Sequence, residues 1–500
     1  MPDFDVLIVG AGISGIGAAC HLARECPNKS VAILERRESM GGTWDLFKYP
    51  GIRSDSDMFT FGYNFRPWTD PKTLADGPSI KRYIVETAVE NGVDKKIHYD
   101  RKVVDACWDS LDQCWTIRTK RENDGKEETW SAGFLMLCTG YYNYDKGYKP
   151  DFPGEKDFEG RVIHPQHWPE DLDYEGKRVV IIGSGATAVT LLPAMADKTE
   201  HITMLQRSPT YMMSLPEVDP MAARLMTLLP DSVAYRIMRK RNIALQRWSF
   251  VASRAFPDQA RSIILALARR QLGKQIDIRH FTPNYDPWDE RICAMPGGDL
   301  FKALRSGKAS VVTDQIARFT KEGILLQSGK ELHADIIVSA TGLDLQFLGG
   351  MTLVVDGKPH HAGDSMLYKG VLIEGVPNAS IVIGYTNASW TLRADLAAEY
   401  VCRLLRHMDK KKYSVATPID TEGCRTSETV MGSIMSGYVR RAAYRMPRQG
   451  SHRPWRLTHD YYRDIPMLKK DPIEDRFIRF TRRNRARAYV SPADSETNAR

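Results

Sequence analysis

The chain has 500 residues, more than one ordinary hydrophobic core accommodates, so two or three domains are expected. Its composition, 42% apolar and 26% charged, is typical of a globular protein and excludes a disordered or fibrous one. The net charge of +8 is modest for this length, and basic residues occur along the whole chain, which disfavours a nucleic-acid-binding protein.

Signals that would export the chain or anchor it in a membrane are not evident in the sequence. The N-terminus runs directly into a predicted strand without a basic region or cleavage site, which predicts no signal peptide. No apolar stretch reaches the roughly 18 residues of a spanning helix. The eight cysteines are scattered and form no CxxC pair. We therefore predict a cytoplasmic protein with reduced thiols.

The first predicted unit is a strand over residues 5–9, a glycine-rich turn, a helix that ends near residue 25 and a strand over 30–34. This is a βαβ arrangement. Its turn contains Gly10, Gly12, Ser14 and Gly15 and matches the GxGxxG pattern of a dinucleotide site. In that pattern the glycines make the turn, admit a pyrophosphate to the helix N-terminus and let the helix pack closely on the strand.

Glu35 stands at the end of the second strand of this unit, 20 residues after Gly15. A carboxylate at this place accepts hydrogen bonds from the ribose hydroxyls of an adenosine and repels a 2′-phosphate. The first unit is therefore predicted to bind FAD or NAD rather than NADP. A glycine-rich turn followed by a surface glutamate, with no ligand, is the alternative interpretation.

A second unit of the same kind has strands over residues 178–182 and 201–205. Its turn has the GxGxxA form and consists of Gly183, Ser184, Gly185, Ala186, Thr187 and Ala188. No acidic residue follows its second strand, where Arg207 and Ser208 offer a guanidinium and a hydroxyl to a 2′-phosphate. This predicts an NADP site, and a structural arginine at the end of the strand is the alternative.

Between residues 210 and 287, Met, Leu, Ala and Arg recur at helical spacing, which predicts a helical insert. Four basic residues beside apolar ones, Arg236, Arg239, Lys240 and Arg241, allow two interpretations: a face for a membrane surface, or the solvated edge of a packed subdomain, which we favour. Short β-rich runs return over residues 309–340, and the polar C-terminal tail is predicted to be disordered.

Three segments together identify a family resemblance. Residues 158–169, FEGRVIHPQHWP, resemble the FxGxxxHxxxW(P/D) fingerprint of type I Baeyer–Villiger monooxygenases. Residues 41–55, GGTWDLFKYPGIRSD, resemble the family's fingerprint (A/G)GxWxxxx(F/Y)P(G/M)xxxD, and residues 340–342, ATG, resemble its linker motif. The chain looks closest to the subgroup with ethionamide-activating and long-chain alkane or ketone monooxygenases. Related N- and S-oxygenating flavin monooxygenases usually carry Tyr or Phe where Trp168 stands.

The resemblance implies an α/β fold with two nested Rossmann-like domains, for FAD and NADP, and a helical insert. The predicted boundaries are residues 1–145 and 371–485 for the FAD domain, 146–210 and 288–370 for the NADP domain, 211–287 for the insert and 486–500 for the disordered tail. The histidine of the fingerprint, His164, and Trp168 are expected to position the linker between domains.

The resemblance and the two glycine patterns together give a set of cofactor-binding residues, with FAD and NADPH as cofactors and no metal. For FAD the set is Gly10, Gly12, Ser14, Gly15, Glu35, Arg36, Gly42, Thr43, Trp44 and Asp55, and for NADPH it is Gly183, Ser184, Gly185, Ala186, Thr187, Arg207 and Ser208. The spacing of His164 and His167 would suit a metal, but no third ligand is evident. Cys20 and Cys26 do not stand in a redox loop.

The resemblance also implies the reaction. NADPH reduces the flavin, the reduced flavin takes up O2 as a C4a-peroxyflavin, and a lipophilic ketone receives one oxygen atom and becomes an ester. Arg291 is expected to supply a permanent cation for the oxyanion, held in place by Asp55. Many members carry a lysine just before this arginine, whereas this chain has Glu290, so its preference for NADPH over NADH is expected to be smaller.

Two other functions remain open on the sequence. A flavin monooxygenase that acts mainly on nitrogen or sulfur is disfavoured by Trp168 and the early fingerprint, although sulfoxidation is expected as a side activity. An NADPH oxidase, or a flavoprotein without turnover, is disfavoured by the pair of Arg291 and Asp55. The physiological partner is expected to be O2 with a lipophilic small molecule, and not nucleic acid.

Overall fold

The computed structural model describes residues 2–290, 292–432 and 436–483. The predicted disordered tail, residues 486–500, and Arg291 lie outside the described residues. Within the described part, no helix is both long enough and apolar enough to cross a membrane. All eight cysteines are described, and none of them forms a disulfide.

The strands of the described chain are short, as is usual in a twisted α/β fold. In chain order they are β1 (Phe4–Val9), β2 (Val31–Leu34), β3 (Ile97–His98), β4 (Lys102–Asp109), β5 (Cys114–Lys120), β6 (Glu127–Leu137), β7 (Tyr142–Gly147), β8 (Arg161–Ile163), β9 (Arg178–Ile182), β10 (His201–Gln206), β11 (Met212–Leu215), β12 (Cys293–Pro296), β13 (Ala309–Thr313), β14 (Ile316–Phe319), β15 (Gly323–Leu326), β16 (Glu331–His333), β17 (Ile336–Ser339), β18 (Leu343–Leu345), β19 (Thr352–Val355), β20 (Lys358–His360), β21 (Leu367–Tyr368), β22 (Leu372–Ile373), β23 (Ala379–Ile381), β24 (Val415–Pro418), β25 (Arg425–Thr429), β26 (Arg448–Gly450) and β27 (Ile478–Thr481).

The α-helices range from single turns to long helices that cover the sheets. In chain order they are α1 (Ile13–Glu25), α2 (Thr43–Leu46), α3 (Met58–Phe61), α4 (Gly77–Glu90), α5 (Ala186–Met195), α6 (Pro220–Leu228), α7 (Asp231–Ala255), α8 (Pro257–Leu272), α9 (Asp299–Arg305), α10 (Trp390–Lys411), α11 (Gly437–Ala442) and α12 (Tyr461–Lys469).

The large sheet has 11 strands and two halves of different character. Its parallel half contains β3, β2, β1, the second part of β6, and β23, with β1 between β2 and β6. Its antiparallel half is the meander β4–β5–β6. The core strand β1 is buried along its last four residues. Val6 and Ile8 belong to the apolar cluster that includes α1 and α10, and Leu7 and Val9 belong to the cluster that includes β5. This is the Rossmann-like arrangement expected for the first unit.

The small sheet has five parallel strands in the order β13-β10-β9-β17-β8. Strand β9 precedes the second glycine loop and is buried at its last four residues. An antiparallel meander, β14–β15–β16, follows β13. The two Rossmann-like sheets confirm the predicted α/β fold class.

One predicted boundary differs from the strand pairing. Residues up to 370 were expected to belong with the small sheet, but β19 pairs with β4 at the edge of the large sheet and β20 pairs with β19. In chain order, β17 is therefore the last strand of the small sheet, and residues 352–360 extend the large sheet. A pairing between residues 105 and 352 is non-local, so no local pattern in the sequence indicates it.

The two crossings between the sheets run side by side. β7 leads from the large sheet to the small one, β18 leads back, and the two pair in antiparallel fashion. Tyr148 N–H donates to the carbonyl of Gly342 at 3.1 Å, and the hydroxyl of Thr341 donates to the carbonyl of Tyr148 at 2.8 Å. His164 Nε2 lies 3.2 Å from the same Gly342 carbonyl, so the fingerprint histidine contacts the linker.

The segment expected to be a helical insert contains α6, α7 and α8, bounded by the paired strands β11 and β12. Helix α7 packs on α3 of the large-sheet unit, and α8 packs on β11 and α9 of the small-sheet unit. The insert thus contacts both units.

Candidate functional site

The first glycine loop has a backbone that excludes side chains at two positions. Gly10 has φ of +101°, and a Cβ there would lie 2.6 Å from the carbonyl oxygen of Cys138. A Cβ on Gly15 would lie 1.8 Å from the carbonyl oxygen of Gly10, so α1 packs directly on the end of β1. Gly12 precedes the first turn of α1, which has no side-chain cap. Its unpaired N–H groups are therefore available to an anionic group.

Glu35 is buried at the carboxyl end of β2, with 4% of its surface exposed. Its carboxylate accepts hydrogen bonds from the backbone N–H groups of Ala11 at 2.7 Å and Arg37 at 2.9 Å. Burial raises the pKa of this carboxyl group, and the two backbone hydrogen bonds oppose that shift. Each carboxylate oxygen has a second acceptor position, so the group can still receive a ribose hydroxyl.

Ser14, Gly42, Thr43 and Trp44 lie close around this loop. The hydroxyl of Ser14 accepts a hydrogen bond from the indole Nε1 of Trp390 at 2.8 Å. A Cβ on Gly42 would lie 2.9 Å from the Cα of Gly12, so the two segments touch backbone to backbone. Thr43 starts α2 and hydrogen-bonds Tyr144, whose pKa is raised by burial. Trp44 packs edge-on against Phe61, with ring centroids 5.7 Å apart.

Arg36, expected among the cofactor-binding residues, belongs to an ion-pair cluster. Its guanidinium forms ion pairs of 2.6 Å with both Glu122 and Asp145. Burial alone would lower its pKa, but these two carboxylates outweigh that effect and raise it. Arg36 still lines the cavity described below, so it contacts that space as part of an ion-pair cluster.

The second glycine loop repeats the backbone of the first at its turn. Gly183 has φ of +136°, and a Cβ there would lie 2.4 Å from the carbonyl oxygen of Ala340. At Gly185 a Cβ would meet nothing within 4 Å, so space is open in front of the N-terminus of α5. Ser184 Oγ contacts Thr210 Oγ1 at 2.9 Å. Ala186 begins α5, and Ala188, at the third position of the pattern, is fully buried.

Arg207 and Ser208 follow β10 and are both exposed. Arg207 forms no ion pair with the described part of the chain, whereas many other arginines do. The carbonyl of Ser208 accepts a hydrogen bond from Ser184, which ties this segment to the glycine loop. An exposed guanidinium beside an open helix N-terminus is suited to a phosphate group.

A single cavity of about 1460 Å³ joins the two loops. All of the expected cofactor-binding residues line it except Gly15, which lies behind the loop under the helix. The early fingerprint brings the two units into contact, because a Cβ on Gly51 would lie 2.7 Å from the Cβ of Ala194 on α5. Burial raises the pKa of Tyr49 to about 12, against a hydrogen bond to Thr187 that lowers it. The two sites are therefore parts of one space.

Asp55 lies at the wall of this cavity with its side chain exposed, and the hydroxyl of Ser56 approaches its carboxylate at 3.5 Å. Arg291 lies outside the described residues. Its neighbours Trp288 and Glu290 line the cavity. Trp288 has φ of +75°, a left-handed conformation that is rare for a bulky residue and is concentrated at functional sites.

A buried network beside Asp55 was not predicted from the sequence. Asp57 accepts hydrogen bonds from Asn242 at 2.7 Å and from Gln246 at 2.6 Å, both on α7. Burial raises the pKa of Asp57, and the Asn242 and Thr60 hydrogen bonds oppose that shift. Thr60 in turn contacts Ser389, the residue before α10, at 2.6 Å. The network fixes the helical insert to the cavity floor. A second carboxylate two residues after the fingerprint aspartate was the signal that could have indicated it.

Trp168 and His167 have no polar role among the described contacts. Trp168 packs edge-on on Tyr174 at 6.5 Å and contacts the apolar cluster in which Phe47 and Tyr49 meet β9 and α5. In the described ranges, no three His, Cys, Asp or Glu side chains gather as metal ligands. Cys20 and Cys26 are buried and form no disulfide, and burial raises the pKa of Cys20 to about 12.

Known proteins resemble this chain in sequence and in fold. Residues 4–411 match the family model described as flavin-binding monooxygenase-like. MymA of Mycobacterium tuberculosis, named as a FAD-containing monooxygenase, is 57% identical over 481 residues, which cover 95% of this chain and 97% of MymA. The FAD-containing monooxygenase EthA of Mycolicibacterium smegmatis is 51% identical over 494 residues, which cover 98% of this chain and 99% of EthA.

Two solved structures share the fold. An open structure of cyclohexanone monooxygenase superposes with a TM-score of 0.71 at 21% identity, over 84% of this chain and 92% of that protein. A steroid monooxygenase bound to NADP gives 0.70 at 24% identity, over 83% and 88%. The family resemblance read from the three fingerprints is confirmed by these matches. The chain belongs to the flavin-binding monooxygenase-like family.

Proposed function

We propose that this chain is a FAD- and NADPH-dependent Baeyer–Villiger monooxygenase that converts lipophilic ketones into esters. The overall change is ketone, O2, NADPH and a proton to ester, water and NADP⁺. One oxygen atom of O2 enters the bond next to the carbonyl, and the other leaves as water. Sulfoxidation of thioethers is proposed as a side activity of the same site.

The first loop supports FAD as the cofactor of the large-sheet unit. The cradle that Gly10 and Gly15 keep free of side chains fits a pyrophosphate at the start of α1. Glu35 fits an adenosine ribose with two free hydroxyls, because its buried carboxylate retains free acceptor positions. Bound FAD would supply the two-electron reduction and the activation of O2.

The second loop supports NADPH as the cofactor of the small-sheet unit. The open space at Gly185 fits a pyrophosphate, and exposed Arg207 and Ser208 fit a 2′-phosphate. Glu290 lines the same cavity where many relatives carry a lysine, so we propose a weaker preference for NADPH over NADH than those relatives have.

The single observation that carries the proposal is the continuity of the cavity between the two loops. A nicotinamide bound at one loop and a flavin bound at the other would share one space with the substrate, so that the two rings can meet within it. The walls near α6 and α7 include Met213, Met221 and Leu245, which suit a lipophilic substrate.

Arg291 and Asp55 are proposed as the catalytic pair. An arginine keeps its charge at any working pH and can stabilise an anionic oxygen near the ketone carbonyl. Asp55 would orient that guanidinium. The assignment of Arg291 rests on the family resemblance, and that of Asp55 also rests on its place at the cavity wall.

The test is product identification by mass spectrometry with the flavin-loaded protein, NADPH and air. A long-chain methyl ketone should yield an ester heavier by one oxygen atom, and a thioether run in parallel should yield some sulfoxide. Formation of the sulfoxide without the ester would favour a flavin monooxygenase that oxygenates mainly nitrogen or sulfur atoms. Oxidation of NADPH with hydrogen peroxide as the only product would favour an oxidase. An Arg291→Ala variant that formed ester at the parental rate would contradict the role given to Arg291.

A further inference from the structure

The helices α6–α8 expose an unusual amount of apolar surface. Of the 16 large hydrophobic side chains that are exposed in the described chain, 11 lie between Met213 and Leu267. Scattered exposed hydrophobics are normal in a globular protein, but such a concentration marks a surface that meets an apolar partner.

Helix α7 carries apolar side chains on two sides. It buries Tyr235, Met238 and Ile243, together with Arg239 and Asn242, on the side that packs on the large-sheet unit. Its opposite side exposes Ile237, Trp248 and Val251 to 38%, 70% and 48%. These three residues recur at helical spacing and share one face. An ordinary surface helix has one apolar stripe, which faces the core, so the exposed apolar face of α7 is additional to it.

The next helix continues this surface. Phe256, at the corner between α7 and α8, is 60% exposed, and Ile263 and Leu267, one turn apart on α8, are 61% and 50% exposed. The helix-pair surface is defined here by these residues together with the three of α7: Ile237, Trp248, Val251, Phe256, Ile263 and Leu267.

The same helices carry the charge excess of the protein. Residues 220–272 contain ten Arg and Lys and two Asp, a net charge of +8, which equals the net charge of all 500 residues. The rest of the chain sums to zero charge, although other stretches, such as residues 437–459, are also basic. Four of the ten cations, Arg239, Arg241, Arg247 and Arg254, form ion pairs with carboxylates outside the segment. Lys240, Arg269 and Arg270 are exposed and form no ion pair within the described ranges. Exposed apolar side chains among unpaired cations suit an anionic lipid surface better than a nucleic acid.

The helix-pair surface is continuous with the cavity. Leu245, which is 50% exposed, lines the cavity from α7, and Met221, which is 43% exposed, lines it from α6. Trp288, another cavity residue, packs edge-on on Phe250 of α7 with ring centroids 5.4 Å apart. A lipophilic molecule that leaves a bilayer at this surface can therefore enter the cavity along apolar side chains.

We propose that residues 220–272 dock on the surface of an anionic phospholipid bilayer, and that lipophilic substrates enter the cavity from it. The docking itself rests only on the exposed surface and its charge. The delivery of substrate also rests on the proposed oxygenation of lipophilic ketones.

The first experiment is flotation of the full-length, flavin-loaded protein with vesicles. Vesicles of phosphatidylcholine mixed with phosphatidylglycerol should carry the protein upward at low salt, whereas pure phosphatidylcholine should carry at least tenfold less. High salt should weaken the binding. A protein that stayed in solution with every vesicle composition would overturn the proposal.

Matched variants distinguish binding through the helix-pair surface from nonspecific binding to vesicles. Trp248→Glu combined with Phe256→Glu should reduce flotation at least tenfold while leaving flavin content and the oxidation of a short, water-soluble ketone unchanged. Leu111→Glu is the control, because Leu111 is 82% exposed on the turn between β4 and β5. Equal loss in the control, or no loss in the double variant, would contradict the proposal.

Spectroscopy gives a second, independent measurement. Vesicles that contain brominated acyl chains should quench part of the tryptophan fluorescence of the parent. The Trp248→Phe variant should bind these vesicles as strongly as the parent does, but its fluorescence should lack the quenched component. If the double glutamate variant instead changed the protein from dimer to monomer without any vesicle binding in the parent, the surface would contact a second copy and the proposal would fail. Docking without any ketone oxidation would leave the docking standing and remove the proposed reaction.

Discussion

The two glycine loops have the same turn and different endings. At both, the first glycine has a positive φ, and a Cβ on it would overlap a backbone carbonyl of a neighbouring strand end, Cys138 for Gly10 and Ala340 for Gly183. After the next strand, the first unit has the buried acceptor Glu35 and the second has the exposed donor Arg207. We propose that the turn accommodates a dinucleotide and that the residue at the strand end selects which dinucleotide binds.

The third position of the two patterns gives the largest expected difference. Gly15→Ala places a Cβ 1.8 Å from the Gly10 carbonyl, so α1 must shift, and we expect a loss of about 3 kcal/mol of stability with little bound flavin. The measurement is flavin content after purification, with thermal unfolding alongside. The converse change in the second unit, Ala188→Gly, should cost about 1 kcal/mol and leave the flavin bound. Similar flavin content in both variants would remove the distinction.

The helices that follow the two loops, α1 and α5, differ in one buried titratable residue. His21 on α1 is buried and contacts Asp395 of α10 at 3.3 Å, whereas α5 contains no titratable residue. Burial alone would lower the pKa of His21, but hydrogen bonds to Asp395 and Glu25 outweigh it and raise the pKa to about 9. Since the folded-state pKa lies above the ordinary value, the stabilisation is complete below about pH 6.5 and is lost as pH rises through 9.

As His21 loses its proton with rising pH, we expect the free energy of unfolding to fall by on the order of 3 kcal/mol. Urea unfolding between about pH 6 and about pH 10 measures it. His21→Gln should show a flatter pH dependence over the same range. Parallel pH profiles for the parent and this variant would contradict the assignment.

Glu35→Gln tests the ending of the first unit. The two carboxylate oxygens accept from Ala11 and Arg37, but a glutamine has one oxygen, and its amide group would face a backbone N–H. We expect a cost of about 2 kcal/mol, or about 30-fold in the affinity for FAD, from titration of the apoprotein. Glu38→Gln is the control, because Glu38 is exposed and lies three residues after Glu35. The affinity of this variant for FAD should not change.

Arg207→Ala tests the ending of the second unit and has the smallest expected effect, because the side chain is exposed to water. The ratio of kcat/KM for NADPH to that for NADH should fall about tenfold, with flavin content unchanged. Arg318→Ala, at an exposed arginine of the neighbouring meander, should leave the ratio as it is. An unchanged ratio in Arg207→Ala would place the 2′-phosphate elsewhere.

Local patterns predicted both βαβ units, their glycine turns and the family, because each of these depends on residues within one short segment. The pairing of β19 with the large sheet was not predicted, and residues up to 370 were assigned to the NADP domain, since its partner β4 is more than 200 residues earlier. The ion pairs of Arg36, which was expected among the cofactor-binding residues, were not predicted, because its partners Glu122 and Asp145 are distant in sequence. The Asp57 network was missed for the same reason, as it needs α7.

The side-by-side crossings β7 and β18 have a consequence for how such a protein can be altered. The segment between them leaves and re-enters the large-sheet unit at hydrogen-bonded positions, Tyr148 and Gly342. Insertions whose two ends lie close together disturb their host little. The whole segment is thus a cassette whose two ends lie together, and α7 adds a second contact with the host through Asp57. Exchange of this cassette between relatives would replace nicotinamide recognition and helix-pair surface together, in a single recombination event, without cutting a strand of the host sheet.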